Sequence, residues 1–365
     1  MNDITSKLIN LGIPMSKDVY PRNVWDMQLF NGKIYIGYGN SSNGQPSPNA
    51  GPISVIYYDP VAAKFITQLT ADEEEIAVLK IIAGNLYIPG IDTREGWSFG
   101  NLWVLRPNGG YEKLRTIPNA EHVLDVALYN DKLFCGNGAT SARWNVTVSP
   151  DGGHTWQAKA NNFNACEMGS AVFVYKGKLY CSSIFFYYDI DPANNFLVAD
   201  GDTITVIHVN GKKMFPGMMG GGISYKMLRT QVLNGKLIYL GVKIANAMQW
   251  NPEGLFILNG DIGSQANRIA LPVTGVLPTD IVVRSNTVYV SAFDINTYTN
   301  YMFKSTDLVN WNEIFRFTSN TFARSFEELN GDFYLGMGCY INNLVATTGT
   351  IYKAAAKVIK ESEQR

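Results

Sequence analysis

Leu29-Phe30-Asn31-Gly32-Lys33-Ile34-Tyr35 is the first of seven copies of one short pattern, a two-residue turn leading into a strand. It returns as Ile82-Ala83-Gly84-Asn85-Leu86-Tyr87, Tyr129-Asn130-Asp131-Lys132-Leu133-Phe134 and Tyr175-Lys176-Gly177-Lys178-Leu179-Tyr180. Leu233-Asn234-Gly235-Lys236-Leu237-Ile238-Tyr239, Arg284-Ser285-Asn286-Thr287-Val288-Tyr289 and Leu329-Asn330-Gly331-Asp332-Phe333-Tyr334 complete the set. Asn-Gly between apolar runs signals a tight hairpin, because both turn residues must take positive φ. The aromatic positions 35, 87, 134, 180, 239, 289 and 334 recur every 45 to 60 residues or so, about the period of a propeller blade.

Apolar and polar residues alternate on either side of each turn, so each repeat supplies four short strands. The fold class follows: all-β, a single seven-bladed β-propeller of four-stranded antiparallel blades over residues 1–353. Blade one reads as Trp25–Phe30, Lys33–Tyr38, Ile53–Asp59 and Lys64–Thr70. Blade four is expected as Gly169–Tyr175, Lys178–Ser183, Thr203–Val209 and Lys213–Gly217. Blade seven offers only Ala323–Leu329, Asp332–Gly338 and Gly349–Lys353. Its missing strand is expected from the N-terminus, since Ser6–Pro14 follows the pattern of Glu112–Pro118, the outer strand of blade two. A strand at about 6–14 then closes the ring and removes an exposed edge. Residues 354–365 are Ala-, Lys- and Glu-rich and read as a short helical tail.

Charged residues make up 17% of the chain and the formal net charge is −1, so no basic field exists to attract nucleic acid or anionic lipid. No apolar run reaches the roughly 18 residues that span a bilayer. The start of the chain, Met1–Lys7, lacks the basic and apolar segments of a signal peptide. A soluble chain, cytoplasmic when made and free or built into a virion, is therefore expected. Cys135, Cys166, Cys181 and Cys339 show no Cys-x-x-Cys spacing and read as buried free thiols. His122, His154 and His208 stand apart from one another and from the cysteines, so neither a metal nor another cofactor is expected.

The turn joining the first two strands of each blade is always tight, whereas the connection between strands two and three is long and often aromatic. Antiparallel topology puts these long connections on one face. That face carries the expected ligand-binding residues Trp97, Trp144, Tyr187, Trp250 and Tyr298, in loops where function concentrates. Exposed Trp and Tyr stack on sugar faces, while neighbouring Asn, Ser and Thr supply hydrogen bonds.

Ser149-Pro150-Asp151-Gly152-Gly153-His154-Thr155-Trp156 has the form Ser-x-Asp-x-Gly-x-Thr-Trp, and Ser305-Thr306-Asp307 followed by Trp311 is a degenerate relative. Here Ser149, Asp151, Gly153, Thr155 and Trp156 read as a structural turn between strands three and four: Asp151 caps amides and the glycines take positive φ. With the repeats, this motif resembles the Asp-box and kelch-like β-propellers over nearly the whole chain. That superfamily includes sialidases, lectins and structural proteins of phage tails, so the resemblance implies a range of functions. A sialidase site further implies three arginines, a tyrosine nucleophile with a glutamate partner, and an acid/base aspartate. Arg22, Arg229, Arg324 and Tyr340 are available for it, but no Glu lies between Glu167 and Glu253 and residues 40–52 contain no aspartate.

Nine residues before the repeat aromatic stand Asp26, Asp125 and Asp280, with Thr230 and Ser325 in two other blades. Inner strands line the channel, so these carboxylates, with Arg229 and Arg324, are expected at its mouth on the long-loop side. One reading is a cation or polar-ligand site. The other is that each Asp accepts hydrogen bonds from inner-strand amides or channel water. The functional expectation is a non-catalytic recognition or assembly module, phage- or virion-associated, binding a glycan or a protein partner through its long-loop face. The alternative is a glycoside hydrolase of sialidase type acting at the channel mouth.

Overall fold

A computed structural model of the chain describes residues 2–42, 49–139, 142–159, 171–183, 195–218, 224–244 and 250–363. Every one of the seven repeat turns places both central residues at positive φ, from Asn31 and Gly32 at 50° and 71° to Asn330 and Gly331 at 55° and 86°. Even Ala83 and Lys176 take this conformation, each followed by a glycine that meets no steric cost there. Seven antiparallel sheets result, arranged as the blades of one propeller. The inner strands are Asp26–Phe30, Lys80–Ile82, His122–Tyr129, Ala171–Tyr175, Ser224–Leu233, Leu277–Arg284 and Phe322–Leu329.

Each blade is sandwiched between two others, so its strands bury both faces. Ile34 and Ile36 of blade one and Leu86 and Ile88 of blade two share one core cluster with Tyr334 of blade seven, all at 3% exposure or less. Burying each such aliphatic side chain stabilises the fold by about 1.5–3 kcal/mol.

The ring closes as the sequence requires. Ile9–Gly12 pairs antiparallel with Ile351–Ala354, in the register Ile9 to Lys353 and Asn10 to Tyr352, and completes blade seven. The residues before it also reach blade six: Ile4 N donates to Arg316 O at 2.9 Å and Arg316 N to Asn2 O at 2.9 Å. Ile4 is 1% exposed and shares a core cluster with Ile359 of the C-terminal helix Ala356–Glu363. Among the described residues, no helix is long and apolar enough to cross a membrane.

Blade four departs from the expected assignment. Its third and fourth strands are Phe196–Asp200 and Thr203–Ile207, joined by a turn at Gly201. Lys213–Gly217 is not a strand; Gly211–Met214 is a single helical turn, with the Asn210 side chain accepting from Lys212 N at 2.8 Å. Capping by Asn210 starts that turn, and it delivers Met214 and Phe215 fully into the core. The apolar run Phe196–Ala199 is strand, although it falls in what reads as an aromatic loop.

One sheet carries an addition. Glu73–Glu75, in the link from blade one, pairs with Ile91–Thr93 of blade two, and Ile91 pairs in turn with His122 of blade three. Gly39 bridges to Glu75 from the other side. At φ 127°, a Cβ on Gly39 would sit 2.4 Å from the Glu74 carbonyl oxygen, so glycine is what allows this approach. The ribbon forms one lip of the channel on the long-loop face.

Candidate functional site at the channel mouth

The three repeat aspartates line the channel. In blades three, six and seven a register shift falls just before the repeat position, turning Asp125, Asp280 and Ser325 toward the neighbouring blade. Asp26 Oδ2 accepts from Leu79 N of blade two at 2.6 Å, and Asp125 Oδ2 from Val172 N of blade four at 2.8 Å. Asp280 Oδ2 accepts from Phe326 N of blade seven at 3.0 Å and from Ser325 Oγ at 2.6 Å. Glu327 does the same from blade seven to blade one, accepting from Leu29 N at 3.1 Å. These carboxylates fasten one blade to the next.

Their other oxygens are engaged as well. Arg229 reaches from blade five to Asp26 Oδ1 at 2.8 Å and Asp280 Oδ1 at 2.9 Å, and donates to the Trp25 carbonyl. Lys80 Nζ lies 3.2 Å from Asp125 Oδ1, which also accepts from Val126 N. Arg284 donates to both oxygens of Glu327 at 2.7 Å. Burial pushes Asp26 up to about 6 against the lowering influence of Arg229. The geometry is thus the hydrogen-bonding arrangement, with no carboxylate oxygen of these three aspartates lacking a donor or cation.

Above them opens a cavity of about 430 Å³. Trp25, Tyr20 and Arg324 line it together with Asn40, Ser41, Glu75 and the ribbon residues Ile91 and Asp92. The Arg324 guanidinium lies 3.7 Å from the Trp25 ring centroid, and Tyr20 meets the same ring edge-on at 6.2 Å. Trp25 is itself fixed by donating from Nε1 to Gly39 O at 2.8 Å. Glu75 is held by Ser41, whose N and Oγ donate to Oε2 at 3.1 and 3.0 Å. Among the described residues, no carboxylate comes within ion-pair distance of Arg324. Burial lowers its pKa from the ordinary arginine value, opposed by Tyr20, Cys339, Tyr340 and Glu75. A guanidinium does not deprotonate in a protein, so this is a desolvated cation suited to an anionic group.

Among the described residues, the cavity gathers none of the expected aromatic side chains. Trp97 and Tyr298 are exposed, at 49% and 44%, but neither lines the cavity. Tyr187 and the side chains of Trp144 and Trp250 lie outside the described residues. Trp25, which the loops do not point to, has a signal in the repeats: it stands ten residues before Tyr35, as Arg229 and Arg324 stand before Tyr239 and Tyr334. Arg22 is directed away from a triad, donating to Ala346 O at 2.9 Å.

The turn at Ser149–Trp156 sits between strands three and four of blade three, away from the cavity. Asp151 Oδ1 accepts from Thr155 N at 2.8 Å and His154 N at 3.1 Å, Thr155 Oγ1 donates to Oδ2, and Ser149 Oγ accepts from Gly153 N. These donors hold the Asp151 carboxyl down at about 2. Trp156 Nε1 donates to Gly153 O and to Thr116 of blade two, so the turn is a brace between blades.

No protein-family model matches the chain, and no curated protein matches it. Solved structures do. A streptogramin B lyase structure aligns with a TM-score of 0.58 at 11% identity, covering 95% of this chain and 96% of that one. The β-propeller domain of the Trilobed protease from Pyrococcus furiosus, which has an open velcro topology, gives 0.52 at 9% identity over 92% and 95%. An ancestral GH74 enzyme gives 0.51 at 12% identity, over 91% of this chain and 47% of that one. At these identities the likeness is one of fold.

Proposed function

We propose that this propeller is a non-catalytic recognition module that binds an anionic glycan at the mouth of its channel. The observation that carries the reading is the cavity of about 430 Å³ in which the aspartates are committed to holding blades together while Arg324 has no carboxylate partner among the described residues. General acid–base chemistry needs a carboxyl that can exchange a proton with the substrate. Asp26, Asp125 and Asp280 instead spend their oxygens on backbone amides and on Arg229 and Lys80. Recognition needs what the cavity offers: an anion-seeking guanidinium stacked on Trp25, with Asn40, Ser41 and Gln231 in the same lining for hydroxyl groups. A place in a larger particle, with the glycan as its attachment point, belongs to the same proposal.

The test is a glycan array followed by calorimetry with the best acidic and neutral oligosaccharides. Acidic glycans are expected to bind, and Arg324→Ala to weaken them at least about tenfold, as the loss of a charge-assisted hydrogen bond would. Undiminished binding by a folded Arg324→Ala protein, or turnover of chromogenic glycosides by the wild type, would defeat it.

A further inference from the structure

We infer that the cavity selects zwitterionic ligands, taking an anionic group at Arg324 and, beside it, an ammonium group at Glu75. This selection rests on the anionic-glycan reading and narrows it to acidic glycans that carry a free amine, as an unacetylated amino sugar does. Arg324 and Glu75 both line the cavity, and each is partly exposed within it. They lie close enough to feel each other's charge, yet form no ion pair. Among the described residues, the Arg324 nitrogens donate no hydrogen bond and Glu75 Oε1 accepts none. Only Glu75 Oε2 is taken, by the N and Oγ of Ser41 at 3.1 and 3.0 Å.

The fold keeps the two charges from meeting. Arg324 stands on the inner strand Phe322–Leu329 with its guanidinium 3.7 Å from the Trp25 ring centroid. Glu75 ends the ribbon strand Glu73–Glu75 and is bridged to Gly39. Gly39 O also accepts from Trp25 Nε1 at 2.8 Å, so one backbone position anchors both the stack and the ribbon. Contact would require one side chain to leave Trp25 or Ser41.

Opposite charges held apart in a partly dehydrated cavity lack the stabilisation that an ion pair would give them. A ligand with the reversed pair of charges supplies it at both ends, on a site that is already organised. Burial raises the Glu75 pKa, against the Ser41 donors, with Asp92 adding to the rise and Arg324 opposing it. An ammonium at Oε1 would favour the ionised carboxylate further. Lys226 also senses Glu75, but it is 1% exposed, and burial drives its amine well below the ordinary lysine value, toward the neutral form. Asp and Glu outnumber Lys and Arg in the cavity lining, so a ligand with only negative charge enters against the net field.

The test uses full-length protein and two matched probes, oligosaccharides that alternate uronic acid with glucosamine, one with free amines and one N-acetylated. Calorimetry is expected to show the free-amine form binding at least about tenfold more tightly. Glu75→Gln keeps the side chain's size and an oxygen for Ser41, and should bring the ratio of the two affinities to about one. Circular dichroism matching the wild type shows that the variant is folded, and the wild-type ratio is read whether or not it folds. Binding of neither probe overturns the anionic-glycan reading and the zwitterion selection together. Equal binding of both by the wild type overturns the selection alone, as does a preference that persists in folded Glu75→Gln protein.

Discussion

Arg229 occupies a bulge in its inner strand, at a φ of 53°, and this places its guanidinium between Asp26 and Asp280 from two other blades. Removing it leaves two buried carboxylates facing each other without their shared cation. Arg229→Ala is therefore expected to cost about 3–5 kcal/mol, the range for breaking a buried ion pair from one side. Urea denaturation measures it, and a change under about 1 kcal/mol would show that the bridge adds little. Repeat alignment alone picks out Asp26, Asp125 and Asp280, because one strand position meets one environment in every blade. Glu327 performs the same blade-linking task two residues further along its strand, so it escapes that alignment. The ion pair of Asp92 with His122 is harder still to find. Thirty positions separate them in sequence, and a ribbon outside the repeat pattern joins them.

At the scale of elements, hairpin chemistry made most strands legible, since an Asn-Gly turn fixes where two strands begin. Blade four shows the limit. Phe196–Asp200 and Thr203–Ile207 flank an Asp-Gly turn at Asp200 and Gly201 that a reading of the stretch as one long aromatic loop passes over, and the helical turn Gly211–Met214 forms because Asn210 caps it and Met214 and Phe215 bury themselves. The N-terminal strand was legible through its likeness to another outer strand. Deleting residues 1–14 should lower the melting temperature sharply, because Ile4 alone buries about 1.5–3 kcal/mol and the edge of Ile351–Ala354 is left unpaired. An unchanged melting temperature would refute closure by this strand.

For the molecule as a whole, the buried carboxyls set a pH dependence. Burial raises Glu73 and Glu327 to about 7 each, from an ordinary value near 4.5, against hydrogen bonds from Trp103 and Asn101 and the cation of Arg284. Between those two values the folded chain holds protons that the unfolded chain has released. Their contribution is full below about 4.5 and is lost as pH rises through about 7. Thermal unfolding should accordingly give a higher melting temperature at about pH 5.5 than at about pH 8, and Glu73→Gln should flatten the difference. A melting temperature that rises with pH over that interval would contradict the assignment. Ring closure has a further consequence, one of time. Ile9 pairs with Lys353, so the ring's first strand waits for its last. At about 5–20 residues per second, that is a delay on the order of 20–70 s of synthesis. Through all of it the growing chain carries an unsealed sheet edge, open to mispairing until Ile351–Ala354 is made.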